Sequence, residues 1–419
     1  MAVAASNSNR RDEVVAELAH TLADAPARMP APRSDPALAK LRQVGTEPWL
    51  DTGNLDEARS LWRAELTALT TNNSLANQVV QSGLMDATIR EAARRIRAEA
   101  PEVPADDLVL DLVFVVNCHI ALRLAGAFGA RVSVELHPGV ARDVEQTVRY
   151  ARRYHAVSPD RFIVKIPLTP EGYCAVARVR AEGIPVNFTL GFSARQNYLA
   201  ALLAGPDYVN VFLGRLNAVV ADNKLGDGKF VGEKVALASQ AAVRELREAR
   251  PGVPTRQIAA SMRNADQMLA LAGVDVFTIP PKVLAEFYAR GPSPDAIRSR
   301  REEQYEVKLG NDTDKGGVEV LWTIDDAFRA FADELATRGG ANLSGADLRR
   351  ADRDHGTKLF ADFDEAGRAA IREKGKIPDV ARWRGRAALD DLMTEAALQS
   401  FHTDQAAFDA YVRKLIEAA

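Results

Sequence analysis

A chain of 419 residues, 47% hydrophobic and 26% charged, has the balance of a folded protein with a large core, enough for one big barrel with appendages or for two domains. Lys plus Arg (54) nearly matches Asp plus Glu (57), and the formal charge of −3 offers no field suited to a nucleic-acid backbone or an anionic membrane. Two cysteines, Cys118 and Cys174, are too few for a disulfide framework or a cysteine-based zinc site, so a reducing cytoplasm is the expected setting.

Residues 1–44 read as an N-terminal extension. They begin polar, without the apolar segment of a secretory signal, pass through an amphipathic stretch (Val14, Val15, Leu18, Leu22), and break at Pro26, Pro30, Pro32 and Pro36. Apolar runs elsewhere, such as 112–116, are read as too short to cross a bilayer. From residue 46 the pattern changes to short apolar, β-branched runs alternating with longer stretches of helical period. The runs are 48–51, 68–72, 132–136, 162–167, 185–190, 208–213, 258–262 and 276–279. Between them lie helix-like stretches at 54–66, 75–99 with 106–128, 139–156, 170–182, 193–204, 231–249, 264–272 and 282–289. This alternation predicts an α/β protein, a (β/α)8 TIM barrel over residues 45–290. Residues 291–340 are expected to add helices that close the barrel. Residues 341–419 form an expected C-terminal helical extension, and the stretches 322–335, before it, and 385–417, within it, are amphipathic.

In such a barrel the C-terminal ends of the strands line the active site, so polar residues inside apolar runs are the candidates. Asp51, Asn72, Glu135, Lys165, Thr189, Arg215 and Arg263 each fall in or at the end of a different predicted strand, from the first to the seventh. Thr70, Ser133, Asn187 and Ser261 share a face with four of them, because residues two apart on a strand point the same way. Lys165 is the sharpest, flanked by Phe162, Ile163, Val164, Ile166 and Pro167. A lysine so placed loses hydration, which disfavours its charged form and lets a neutral amine attack a carbonyl, the first step of Schiff-base chemistry. Asp51 and Glu135 bring two carboxylates for the proton transfers that carbon–carbon cleavage needs. Arg215 and Arg263, just past the sixth and seventh runs, offer forked donors matched to phosphate oxygens. The competing explanations are ordinary: a solvent-reaching lysine, a turn-forming Asp51 and surface ion pairs for the two arginines.

Two further features look bland. Residues 226–232 lack the Gly-Lys-Ser/Thr ending of a phosphate loop. The six histidines (His20, His119, His137, His155, His355, His402) show no metal-ligand spacing, so a metal is not expected. His137, two residues after Glu135, belongs either to the cavity or to a loop.

The segments Trp49-Leu-Asp-Thr52, Leu69-Thr-Thr-Asn-Asn-Ser-Leu75, Val132-Ser-Val-Glu135, Ile163-Val-Lys-Ile-Pro167, Asn187-Phe-Thr-Leu190 with Phe192-Ser193, Phe212-Leu-Gly-Arg215 and Ala260-Ser-Met-Arg-Asn264 give the chain its resemblance to the transaldolase family, over roughly 46–336. The resemblance implies that Lys165 attacks the ketose carbonyl at C2 and that Asp51 is the acid/base at the C4 hydroxyl. It implies a proton-shuttling water held by Glu135 and Thr189. Asn72 and Ser261 would bind the dihydroxyacetone unit, Asn187 is a further substrate-binding candidate, Arg215 and Arg263 would clamp a phosphate, and no cofactor is implied. The implied substrates are sugar phosphates, sedoheptulose 7-phosphate or fructose 6-phosphate as donor, in a pathway such as the pentose phosphate pathway. A homodimer is left open. Three positions depart from the family pattern: Asn73 replaces a proline, Asn210 replaces a phosphate-contacting serine while remaining a substrate-binding candidate, and Gly191 replaces a bulky apolar residue. The alternatives are an aldolase that releases its three-carbon unit and a non-catalytic barrel scaffold.

Overall fold

The computed structural model describes residues 2–22, 25–311 and 313–417. Eight parallel strands occupy the eight apolar runs: β1 (Glu47–Asp51), β2 (Ala68–Thr70), β3 (Arg131–Glu135), β4 (Phe162–Pro167), β5 (Val186–Thr189), β6 (Tyr208–Phe212), β7 (Arg256–Ala260) and β8 (Val276–Ile279). They pair in chain order, and β8 pairs with β1 to close the barrel. Closure leaves no free edge, and the surrounding helices bury the outer face, which is why the strands are apolar on both sides.

Register decides what lies inside. Asp51 is level with Thr70, Thr70 with Ser133, Glu135 with Lys165, and Lys165 with Asn187. Partners in a parallel ladder share a face, so these side chains make a polar band around the interior. One layer below, Trp49 meets Tyr208 edge-on at 4.8 Å, and Glu47 accepts bonds from Trp49 Nε1 (2.9 Å) and Arg256 Nη1 (2.7 Å). That layer plugs the barrel floor and leaves the band open only toward the strand C-termini.

Helices begin where side chains can take over orphan backbone donors. Asn54, Asn72, Thr169, Ser193 and Asn264 each cap the helix that follows their strand. This shortens β2 relative to expectation: Asn72 leaves the strand because its side chain accepts from Leu75 N at 3.0 Å. The expected helix 75–99 is two helices, Asn73–Gln81 and Asp86–Glu99, separated by a turn in which Gly83 has φ +81°. A helix not expected, Leu213–Asp222, follows β6 directly and carries Arg215 in its first turn.

The expectation about apolar length needs correction. Helix Ala105–Phe128 is long and apolar enough to cross a membrane, although 83% of its most apolar stretch is buried within the protein. Its environment explains the composition. It packs between β3 and the helices Ala2–His20, Asp86–Glu99 and Leu389–Glu417, so it is apolar all round. Its one fully buried carboxylate, Asp111, is held by Arg11 Nε at 2.6 Å and Arg153 Nη2 at 3.0 Å.

Beyond the barrel come Asp326–Arg338, Gly345–His355, Glu365–Lys374, Val380–Trp383 and the 29-residue helix Leu389–Glu417. The last packs on Asn73–Gln81, Asp86–Glu99, Ala105–Phe128 and Glu365–Lys374, and every residue from Leu389 to Phe401 is buried. It lies across the C-terminal ends of the strands.

Candidate active site

A cavity of about 270 Å³ opens at that end of the barrel. Asp51, Asn72, Lys165 and Asn187 line it from β1, β4, β5 and the end of β2, and Asn210, Arg215, Ser261 and Arg263 line it from β6, the helix after it and the segment after β7. Nine of the residues singled out in the sequence, Thr70 among them, thus share one cavity. Glu135 and Thr189 lie buried beside it rather than in its wall. A wider cleft of about 700 Å³ outside β1, lined by residues such as Thr52, Glu57 and Gln78, holds neither the lysine nor the strand-end carboxylates.

Lys165 is 5% exposed. Its Nζ lies 3.5 Å from Glu135 Oε2 and donates to Thr71 O at 3.3 Å. Burial pushes the Glu135 carboxyl up to about 7, against the opposing charge of Lys165. Neither Glu135 oxygen has a hydrogen-bond partner among the described residues, and the same holds for the buried Thr189 hydroxyl. Asp51 Oδ1 accepts from Thr70 Oγ1 at 2.6 Å, and Thr70 in turn bonds the Thr278 hydroxyl. Its depth in the barrel raises the Asp51 carboxyl, with Lys165 and the Thr70 hydroxyl pulling the other way. Two acids therefore flank one amine in distinct environments, which suits separate proton-transfer roles.

Polar side chains fix the far wall. Asn187 Nδ2 donates to Ser133 Oγ at 3.1 Å, Asn210 Nδ2 to Asn187 Oδ1 at 3.2 Å, and Gly191 N to Asn210 Oδ1 at 3.3 Å. Leu190 and Ser261, at the ends of β5 and β7, both have left-handed backbones (φ +70° and +62°). Such strain costs on the order of 1–3 kcal/mol per residue and gathers where a site dictates the backbone. At Ser261 it turns the chain so that Ser261 and Arg263 both reach the cavity.

Arg215 is buried, its Nη1 without a partner among the described residues, and it sits near the rings of Phe212 (5.6 Å) and Phe401 (6.0 Å). Burial and the neighbouring Arg263 lower its guanidinium to about 10, and partial burial lowers Arg263 as well. Neither arginine forms an ion pair among the described residues. The surface ion-pair explanation fails for both. Gly214 sets their spacing, because a Cβ there would lie 2.3 Å from Ser261 O and 2.8 Å from Arg263 Cγ. Gly214→Ala is expected to cost about 1–3 kcal/mol in urea unfolding through overpacking, and to weaken binding of inorganic phosphate by displacing Arg263.

Among the lining residues that the sequence did not single out are Lys376 and Phe401. Both come from the C-terminal extension, and no local pattern announces them. His137, by contrast, is a loop residue: its Nδ1 accepts from Gly139 N at 3.0 Å, and its Nε2 lies 3.3 Å from Asp409 on the C-terminal helix.

Comparison with known proteins supplies the family. Residues 48–338 match the model of the transaldolase/fructose-6-phosphate aldolase family. The chain belongs to this family. It is 32% identical to a probable transaldolase of Thermus thermophilus over 266 residues, covering 62% of this chain and 99% of that protein. It is also 32% identical to the transaldolase of Chlamydia pneumoniae over 224 residues, 52% of this chain and 67% of that one. A probable transaldolase of Kosmotoga olearia is 38% identical over 151 residues, 36% and 62% of the respective chains. Family membership marks the protein as a transaldolase-like enzyme with an (β/α)8 barrel.

The family match ends before the helices that roof the cavity, and departures from the family pattern meet those helices or the wall beneath them. Asn73 Nδ2 donates to Gln405 Oε1 at 2.9 Å, a contact that a proline could not make. Gly191 faces Asn210 O, 2.2 Å from where a Cβ would sit, so a bulky side chain is excluded. Next to it, Leu190 O accepts from Thr394 Oγ1 of the C-terminal helix at 2.9 Å.

Proposed function

We propose that the protein transfers a dihydroxyacetone unit from a ketose phosphate, sedoheptulose 7-phosphate or fructose 6-phosphate, to an aldose phosphate through a Schiff base on Lys165. The observation that carries this is the placement of Lys165: a buried amine, 3.5 Å from a buried carboxylate, at the base of a cavity whose wall holds Arg215 and Arg263.

The neutral amine attacks C2 of the ketose, and the resulting carbinolamine loses water to give the iminium. The orphaned oxygens of Glu135 and Thr189 suit a water that carries the protons of this step, since buried polar atoms seek partners. Asp51 takes the proton of the C4 hydroxyl as the C3–C4 bond breaks. The aldose phosphate leaves, and the three-carbon enamine stays on Lys165. An acceptor aldehyde then forms the new C3–C4 bond while Asp51 returns the proton, and hydrolysis frees the lysine. Asn72, through the amide nitrogen that capping leaves free, and the Ser261 hydroxyl would orient the three-carbon unit. Arg215 and Arg263 would hold the phosphate, with charge-assisted bonds roughly twice as strong as neutral ones. A cytoplasmic sugar-phosphate pathway, such as the pentose phosphate pathway, is the setting such substrates imply.

Borohydride reduction in the presence of fructose 6-phosphate should trap a three-carbon adduct on Lys165, located by peptide mass analysis. Product formed with and without erythrose 4-phosphate separates transfer from simple release of dihydroxyacetone. An adduct on Lys282, or no adduct, removes the mechanism.

The position of Glu135 also gives a pH signature. With its carboxyl raised to about 7, it is protonated below that pH and can donate, and above it can only accept. Formation of the iminium, which needs a donor, should slow as pH rises through about 7 in single-turnover measurements. Glu135→Gln should erase this inflection and lower kcat by about 10²–10⁴-fold.

A further inference from the structure

The C-terminal extension adds a cation to the cavity. Lys376 lies in the turn between helices Glu365–Lys374 and Val380–Trp383, on the exposed rim of the cavity that Arg215 and Arg263 also line. The turn is held at several points. Helix Glu365–Lys374 ends at Gly375, whose φ of +76° and ψ of −141° suit glycine alone and reverse the chain just before Lys376. Asn223, which ends the helix bearing Arg215, donates Nδ2 to Pro378 O at 3.1 Å and accepts from Val380 N at 2.9 Å. On the other side Arg372 donates twice to Gln399 Oε1, at 3.0 and 2.7 Å, tying the turn to the helix that carries Phe401. The backbone at Lys376 is thus fixed both to the element holding Arg215 and to the roof of the cavity.

Charge gives this placement meaning. Among the described residues Lys376 makes no ion pair with a carboxylate, and Arg215 and Arg263 make none either. The one carboxylate in the cavity wall, Asp51, sits deep beside Lys165. Asp404, the acid nearest in effect to Arg215, is engaged by the Ser74 hydroxyl. Arg263 already works against the charge of Arg215, Lys376 adds a third cation to the wall of the same cavity, and a phosphate dianion is the group for which such a set is matched.

We propose that Lys376 is a specificity-determining residue that completes a three-cation site with Arg215 and Arg263 for the terminal phosphate of the sugar, so that the C-terminal extension selects phosphorylated substrates. This rests on the sugar-phosphate reading above. Its test does not need the Schiff base.

Inorganic phosphate is the probe, titrated by calorimetry into the full-length wild type and into Lys376→Ala and Lys376→Arg. The expected result is about a tenfold weaker phosphate affinity for Lys376→Ala, the loss of one charge-assisted contact, with Lys376→Arg close to wild type. In parallel, Lys376→Ala should raise KM for fructose 6-phosphate by a similar factor while kcat stays within about twofold and the Lys165 adduct still forms. Unchanged phosphate affinity in Lys376→Ala overturns the proposal, as does a fall in kcat at constant KM. If phosphate binding weakens as expected but no adduct forms on wild-type Lys165, the anion site stands and the transaldolase mechanism falls.

Discussion

Lys165→Ala is expected to lose at least about four orders of magnitude in kcat, the scale on which removing a covalent nucleophile acts, while the protein remains folded. Among the described residues no other amine is placed to take over. Lys376 is the one other lysine in the cavity wall, and it belongs to the exposed rim. Lys282, on helix Pro281–Arg290 after β8, does not line the cavity. The fold should survive because the partner left behind can adjust. Glu135, already raised by burial, rises further once the opposing lysine charge is gone and takes up a proton near neutral pH, so no bare buried carboxylate remains. Lys165→Met, which restores most of the volume without an amine, should therefore unfold within about 1.5 kcal/mol of wild type and be equally inactive. Lys165→Arg keeps the charge next to Glu135 but presents a guanidinium that does not form an imine, so it too should trap no adduct. Turnover in any of the three, or an adduct elsewhere in the chain, would falsify the role assigned to Lys165.

The barrel and most of this site were legible because they break local rules. Eight short apolar runs alternating with helical stretches leave few architectures, although the first two are weak as strands when read alone, and Lys165 or Glu135 amid Val and Ile contradicts the pattern of a purely structural strand. Where local rules are ambiguous, the sequence misleads. Asn72 extends an apolar run and reads as strand, yet its side chain serves better as a helix cap. Helix Leu213–Asp222 hides behind Phe212-Leu-Gly-Arg215, where the strand passes straight into the helix with no polar cap to mark the join. Helix Ala105–Phe128 shows no amphipathic stripe because every side of it meets protein, so composition alone cannot separate it from a membrane span. Phe401 and Lys376 reach the cavity from sequence far beyond the last strand. Only the docking of the extension reveals them.

A buried ion pair between Arg195 and Asp390 helps hold that docking, and breaking it should have a large effect on stability. Arg195, in the first turn of the helix after β5, donates Nε and Nη2 to the two oxygens of Asp390 at 2.7 and 2.8 Å. Asp390 also accepts from Ser193 Oγ at 2.7 Å and from Asp391 N at 3.1 Å, while Arg195 Nη1 donates to Thr357 O at 3.0 Å. Asp390 holds the Arg195 guanidinium above its ordinary value despite burial. Arg195→Ala removes the counter-charge and leaves Asp390, fully inaccessible, with only the Ser193 hydroxyl and the Asp391 N–H to bond it. The expected cost is about 3–5 kcal/mol, or a Tm lower by about 3–6 °C for a single cooperative transition in a chain of this length. Arg195→Met with Asp390→Leu should recover most of that loss, because desolvation of the pair offsets much of its attraction. A double variant no better than Arg195→Ala would show that the hydrogen bonds to Ser193 and Thr357, rather than charge pairing, hold the extension down. The single variant should also change catalysis in a specific way. If the helix Leu389–Glu417 lifts at its first turns, Phe401 leaves Arg215 and water reaches the cavity. Hydrolysis of the three-carbon intermediate should then gain on transfer, and dihydroxyacetone released per acceptor consumed is the measurement that reads it.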